Sequence, residues 1–336
     1  MRLPSFEHIL SMSDGIGTFE HADHTEPRHE HGYCTDDVAR VLIVVAREPD
    51  PSRDLSDLGR TALLFVSEAQ GVTGRVRNRR SAGGRWSGAR GVDDCWGRSI
   101  WAFGTAARRA PDDWMRQSAL AHFEVGVQQR SHSPRSMAFA VLGAAEVLEA
   151  HPRHHRARAL LGDAVATIGP VGTDVCWPWP EPRLSYANAA LPEALIAAGH
   201  LLGRSDITED GLTLLRWLLD RETLEGHLSP TPVGGAGPGD HAPAFDQQPI
   251  EVAALADACV RAAAVTGDDS WQRGTELAVR WFEGDNDAGT VMWDPETGGG
   301  YDGLHDTGPN LNQGAESTLA LISTMQHARL LAPVLR

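Results

Sequence analysis

The chain has 336 residues, 41% hydrophobic and 22% charged, with 45 acidic against 30 basic side chains and a net charge of -15, enough for one large core or two ordinary ones. The acidic excess, broken by no basic stripe, argues against nucleic acid as a partner. Every basic residue is arginine and none is lysine, which excludes P-loop chemistry, Schiff-base chemistry and any Ser–Lys or Tyr–Lys pair.

Helical periodicity dominates from the first segment to the last. In chain order, residues 36–47 read as a helix that is apolar nearly all round, and 55–70 as an amphipathic one. The alternation continues with 95–109 and 113–128, 135–150 and 153–167, 187–202 and 208–221, 250–266 and 268–282, and closes on a sixth apolar segment, 313–330. The apolar segments start roughly 40 to 65 residues apart. Six buried helices, each paired with an amphipathic one, predict an all-α fold, an (α/α)6 toroid or barrel of six helical hairpins. No Pro/Gly/Ser linker divides the chain, so residues 1–336 are expected to form a single domain. The run Gly234-Gly-Ala-Gly-Pro-Gly lacks the dinucleotide fingerprint and reads as a loop, and residues 290–301 as a short β-hairpin around a Pro/Gly turn.

Four scattered cysteines, Cys34, Cys95, Cys176 and Cys259, form no C-x-x-C pair, which points to a reducing compartment. Residues 1–8 carry no apolar signal core, and no apolar run reaches about 18 residues. The expectation is a soluble, cytoplasmic protein without a membrane partner.

Polar residues gather where the six apolar segments begin: His31, Tyr33, Asp36 and Asp37 at the first, Asp94, Trp96 and Arg98 at the second, Arg135 at the third. Trp177, Trp179, Glu181, Tyr186 and Asn188 precede the fourth, Asp246, Gln247, Gln248 and Glu251 open the fifth, and Asn312, Gln313 and Glu316 open the sixth. In a barrel whose inner helices run one way these starts meet at one mouth, an acidic funnel on an apolar scaffold. Asp36, Asp94 and Asp246 also stand where helix caps stand. Glu251 and Glu316 fall among apolar neighbours, where an ionised carboxylate needs a partner or a function. Arg98 and Arg135 can clamp a ligand or balance these carboxylates. Ten tryptophans against three tyrosines favour a sugar ligand, with Trp86, Trp96, Trp177 and Trp179 near the mouth and Trp101, Trp217, Trp271 and Trp281 read as core. The histidines around His21 and His31 match no closed zinc pattern, so no metal and no other cofactor is expected.

These segments resemble the bacterial (α/α)6-barrel domains of the six-hairpin glycosidase type that are fused to, or encoded beside, glycosyltransferases. The likeness runs over nearly the whole chain. It is carried by Asp14-Gly15 with His21-Ala22, Gly32-Tyr-Cys-Thr-Asp-Asp-Val-Ala-Arg40, Asp93-Asp94 with Gly97-Arg98, and Ser133-Pro134-Arg135. Further matches are Leu184-Ser-Tyr186 with Asn188-Ala and Leu191-Pro192, Gly226-His-Leu-Ser-Pro230, Phe245-Asp-Gln-Gln-Pro-Ile-Glu251, and Asp302-Gly-Leu with Asn312-Gln-Gly-Ala-Glu-Ser-Thr318. The chain departs from the family pattern at Val38, Trp96, Ala187 and Ala190, where Asn, His, an acid and a basic residue are usual.

The resemblance implies a carbohydrate-active enzyme on an oligosaccharide and a functional link to a separately encoded glycosyltransferase. Two carboxylates suit an inverting glycoside hydrolase, with a phosphorylase using phosphate in place of water. Ring order opposes the second helix to the fifth and the first to the fourth. The first catalytic pair is therefore Asp94 with Glu251, and the second Asp37 with Glu181. The substrate-binding set is His21, His31, Tyr33, Asp36, Trp96, Arg98, Arg135, Trp177, Trp179, Tyr186, Asn188, His227, Asp246, Gln247, Gln248, Asp302, Asn312, Gln313 and Glu316. A sugar epimerase working through paired histidines such as His227, His241 and His305, and a non-catalytic glycan-binding domain, are the alternatives. A terpene cyclase lacks its aspartate motifs here.

Overall fold

A computed structural model describes residues 3–331; residues 1–2 and 332–336 of the expected domain lie outside it. Six inner helices form a closed ring: α2 (Thr35–Arg47), α4 (Asp94–Arg109), α6 (Pro134–Ala150), α8 (Ala190–Leu202), α10 (Pro249–Thr266) and α12 (Ala315–Leu331). Each packs on the next, and α12 returns to α2. Outside them lie α3 (Arg53–Ala69), α5 (Asp113–Gly126), α7 (His155–Ile168), α9 (Ser205–Arg221) and α11 (Gln272–Phe282). The sixth hairpin has no full-length outer helix after α12 among the described residues. Instead the short α1 (Glu7–Ser11), from the start of the chain, packs against α12 and α3.

Composition explains the two layers. Small residues let the inner helices approach closely. A Cβ at Gly104 would collide with the Gly143 carbonyl, one at Gly143 with the Ile100 carbonyl, and one at Gly97 with the Ser136 carbonyl, so α4 and α6 lie backbone to backbone. The inner helices are buried over most of their circumference, α6 from Arg135 through Leu148 without a break. The outer helices bury one stripe each, as α9 does through Ile207, Gly211, Leu214, Leu215 and Leu218.

Short antiparallel pairings ornament the loops: β1 (Ala22–Asp23) with β2 (Glu26–Pro27), β3 (Tyr33–Cys34) with β4 (Arg79–Arg80) and β5 (Trp86–Ser87), and β6 (Thr223–Leu224) with β7 (His227–Leu228). The last hairpin is β8 (Gly303–His305) with β9 (Gly308–Asn310), just after the stretch expected to form one. That stretch, 290–301, is a turn closed by a single bridge between Trp293 and Gly300. Among the described residues no helix is long and apolar enough to cross a membrane.

Candidate active site

All six inner helices begin at the same end of the ring, so their N-terminal backbone N–H groups and six positive dipole ends converge there. That favours carboxylates, and a cavity of about 640 Å³ opens among them. Its walls carry Asp36, Asp37, Arg40, Asp94, Arg98, Tyr186, Asp246, Gln248, Asp302 and Glu316, with Glu20, His21 and Arg79 on the rim loops. Asp36 and Asp94 sit in the first turns of α2 and α4, and neither helix has a side-chain cap, so they are not capping residues.

Ion pairs organise one wall. Arg40 donates to Asp37 Oδ1 and to Glu316 Oε2, each at 2.5 Å, joining α2 to α12. Burial, with Glu316 and Asp36 adding to it, pushes Asp37 up to about 7 against the pull of Arg40 and Arg98. Arg98 lies over the Phe139 ring, 3.9 Å from its centroid, with Nε 3.5 Å from Asp36 Oδ1.

Asp94, at the start of α4, and Asp246, just ahead of α10, line the cavity from helices that are opposite in the ring order. Asp94 accepts from Ser136 Oγ at Oδ1 and from the Tyr186 phenol at Oδ2, both at 2.6 Å. Burial and the neighbouring Asp94 hold that phenol protonated far above its usual range. Asp246 is the opposite case: its Oδ1 is buried without a hydrogen-bond partner, packed against Gly303 where a Cβ would collide with it. Burial raises its pKa, with His305 pulling the other way. Asp302, beside them, accepts from the Gly314 amide at 2.7 Å and is likewise raised by burial. His21 is lowered by burial and by His31, whose ring centroid is 5.1 Å away.

Several expected site residues lie elsewhere, each for a physical reason. Glu251 is buried beneath the mouth. Its Oε1 accepts from Ala187 N (2.5 Å) and its Oε2 from Asn188 N (3.1 Å) and Nδ2 (3.2 Å), so it pins the loop that carries Tyr186. Glu181 is taken in two-pronged fashion by Arg135 (2.8 and 2.7 Å), which also donates to the Tyr186 carbonyl (2.5 Å) and to Asn188 Oδ1 (3.1 Å). Arg135, Glu181, Asn188 and Glu251 therefore hold the loop and do not line the cavity. Trp96 is fully buried, its indole N–H donating to the Gly126 carbonyl at 3.1 Å. Tyr33 is buried and donates to Asp14. Gln247 is buried and donates to Asp287 at 2.5 Å, which also holds His227 at 2.9 Å. Gln313 is buried between Asp294 and Thr297, and Asn312 accepts from His24 N at 2.9 Å. His31 is exposed beside Glu30. Trp177 and Trp179 pack on Trp217 outside the ring.

Sequence reasoning passed over Arg40 as a site residue, although Asp37 and Arg40 share one face of α2 three residues apart. It also passed over Glu20. Glu20, Cys34 and Asp37 offer ligand atoms within 4.8 Å of one another. The set fits a cation poorly: Arg79 and Arg40 already neutralise the two carboxylates, and burial pushes the thiol well up.

No protein-family model and no curated protein matches the chain. Solved structures do. The fold is similar to a sugar epimerase from a ruminal bacterium (14% identity, 96% of this chain and 95% of that one, TM-score 0.67). It is similar also to cellobiose 2-epimerase from Bacillus thermoamylovorans (12%, 96% and 95%, TM-score 0.69). A metagenome-derived glycoside hydrolase family 9 endoglucanase matches too (13%, 93% and 70%, TM-score 0.60). At these identities the likeness establishes the (α/α)6 barrel and no more.

Proposed function

We propose that the protein is a carbohydrate-active enzyme that cleaves a glycosidic bond of an oligosaccharide by an inverting, two-carboxylate mechanism. The observation that carries this reading is that Asp94 and Asp246 line one polar cavity from opposite sides of the ring, in different hydrogen-bonding environments. Two hydroxyl donors stabilise negative charge on Asp94. Asp246 has a buried oxygen with no donor, which favours its neutral form. Asp246 would then give its proton to the departing glycosidic oxygen while Asp94 takes one from the water that attacks the anomeric carbon. This pair takes the place of the expected Asp94–Glu251 pair, because Glu251 holds the loop behind and does not line the cavity. Arg40, Arg98, Asp302 and Glu316 would bind sugar hydroxyls, and a phosphorylase would put phosphate where water attacks, against Arg98.

Epimerisation or isomerisation of a sugar is the second reading, and the structural neighbours that carry those activities in their names support it equally. Here His21 would supply the base: it is the one histidine on the cavity wall among the described residues, and burial favours its neutral form. Residues 1–336 are read as one cytoplasmic domain, serving the same glycan as a separately encoded glycosyltransferase.

The test is a chromatographic and mass-spectrometric screen against α- and β-linked oligosaccharides, with and without inorganic phosphate, for wild type, Asp94→Asn, Asp246→Asn and His21→Ala. A released sugar lost in both aspartate variants supports hydrolysis, and a phosphate-dependent sugar phosphate supports the phosphorylase. An isomer of unchanged mass lost in His21→Ala moves the assignment to epimerase. Saturable binding without any product leaves a glycan-binding domain.

A further inference from the structure

A second cavity, of about 820 Å³, lies outside the ring at the mouth end of the molecule, where the outer helix α9 finishes. Trp217 and Arg221, one turn apart on α9, line it together with Ser229, Thr231, Asp240 and His241. The pocket is built rather than incidental. Arg221 donates to the carbonyls of Gly237 (2.8 Å) and Asp240 (3.0 Å), which fixes the loop over the cavity. Asp240 accepts from Gly237 N at 2.8 Å and pairs with Arg183 at 3.2 Å. Glu222 Oε1 takes both the Thr231 amide (3.0 Å) and its hydroxyl (2.6 Å), fixing the opposite wall.

Trp217 has its ring angle preset by two others: Trp179 stacks on it at 5.9 Å and 26°, and Trp177 meets it edge-on at 5.2 Å and 82°. Ser229 is one of the lining residues. The residue is only 4% exposed, and its Oγ has no hydrogen-bond partner. A buried hydroxyl left unpaired costs free energy unless a ligand completes it. The lining carries Asp220, Glu222 and Asp240 against Arg221 alone, and the guanidinium is already committed to carbonyls, so an anionic ligand is disfavoured. A half-buried indole beside hydroxyls and carboxylates suits a neutral polyol with apolar C–H faces; Trp179 stacks on the Trp217 ring and the Arg221 guanidinium lies 5.8 Å from its centroid.

Two short stretches of chain run from one cavity to the other. Leu184 and Ala236 exchange backbone hydrogen bonds (2.8 and 3.1 Å), with Tyr186 two residues on facing the mouth; Ala244 lines the outer cavity, and Asp246 lines the inner one. We propose that the Trp217 cavity is a second carbohydrate-binding site, which holds a neutral sugar residue of the same glycan that enters the mouth. Its choice of ligand rests on the reading of the mouth as a sugar site; its geometry does not.

The experiment measures binding by tryptophan fluorescence and calorimetry with neutral cello-, malto- and manno-oligosaccharides, for wild type, Trp217→Ala, Ser229→Ala and, in the mouth, Arg98→Ala. The expected result is at least a tenfold weaker binding of the longer chains in Trp217→Ala (about 1.4 kcal/mol) and a smaller loss in Ser229→Ala. For chains that are turned over, KM rises and kcat holds. Binding lost in Trp217→Ala and kept in Arg98→Ala supports the second site even if the mouth proves inactive. Binding kept in both outer-cavity variants and lost in Arg98→Ala overturns the second site and leaves the mouth reading standing. No binding by any form overturns both. Ser229→Ala and His241→Ala decide the matter should Trp217→Ala not fold.

Discussion

Tyr186 reaches from the loop ahead of α8 to the first turn of α4 and donates its phenol O–H to Asp94 Oδ2 at 2.6 Å. The bond joins two inner helices that are not neighbours in the ring, and it fixes one oxygen of the proposed base. The phenol is held in place from behind, since its own carbonyl accepts from Arg135 and the guanidinium sits 5.0 Å from its ring centroid. Arg135, Glu181, Asn188 and Glu251 act on Asp94 through Tyr186.

Tyr186→Phe removes that donor and keeps the ring. Hydrogen bonds to charged groups contribute about 1.5–3 kcal/mol, so kcat is expected to fall by roughly tenfold to a hundredfold while the melting temperature stays near that of wild type. Steady-state kinetics on the substrate found in the screen checks this. An unchanged kcat would remove Asp94 from the chemistry.

The buried carboxyl of Glu251 supplies a prediction for pH. Burial, with Glu222 adding, raises Glu251 from 4.5 to about 8 against the pull of the Asn188 and Ala187 amides. In the fold it therefore keeps a proton that the unfolded chain loses above its ordinary pKa. The stabilisation is complete below that value and declines as pH rises toward the folded one, by up to about 1.4 kcal/mol per pH unit. Asp37 and Glu222, each pushed up to about 7 by burial, add the same sign. Glutamine has no such proton, so Glu251→Gln should show a flatter decline in urea-unfolding free energy between about pH 5 and about pH 8. Equal slopes in the two proteins would mean that the three N–H donors keep Glu251 ionised.

The ring itself was legible in the sequence because a helix buried on all sides and one buried on a stripe leave different periodicities; each inner helix begins and ends within a few residues of expectation. The largest slip is α8, which starts at Ala190 rather than Ala187 because Ala187 takes a positive φ of 44° to present its amide to Glu251. The mouth was legible as a place but not as a list. Asp36, Asp94, Asp246 and Glu316 face the cavity while Glu251, Gln247, Asn188 and Gln313, a residue or a turn away, face the packing between loops. Residue type cannot separate these, since both settings need polar groups. Trp217 serves both settings: it packs against the core, as its place on a helix suggested, and it also lines an outer cavity where α9 ends.

Trp96 separates packing from recognition. Its indole N–H meets the Gly126 carbonyl at 3.1 Å and the ring is wholly enclosed. Trp96→Phe loses that bond and some volume, for an expected destabilisation of about 1–3 kcal/mol. Thermal unfolding should move down while KM stays unchanged. A raised KM at unaltered melting temperature would return Trp96 to the sugar-binding surface.

Gly303 is the least conspicuous residue on which the proposed acid depends. It opens β8, and the space where its Cβ would stand is filled by the Asp246 carboxyl, which packs against the strand backbone with no donor at Oδ1. Leu304 pairs with Gln247 through reciprocal backbone bonds of 3.0 and 2.8 Å, so the strand cannot simply retreat. In Gly303→Ala the new methyl must therefore turn the carboxyl out of its niche and toward the cavity. There water and neighbouring groups solvate it, and it loses the burial that keeps it protonated. With the φ of Gly303 outside the left-handed region, alanine itself is tolerated by the backbone. A displaced acid of this kind is expected to lower kcat by about a hundredfold. The basic limb of the pH–rate profile should move to lower pH as the carboxyl returns toward its ordinary range. An acid role for Asp246 predicts that substrates with a good leaving group, which need little protonation, lose far less. A uniform loss across leaving groups, or a basic limb that stays in place, would take the proton donor elsewhere, with Asp302 and Asp37 the next carboxyls in the same cavity.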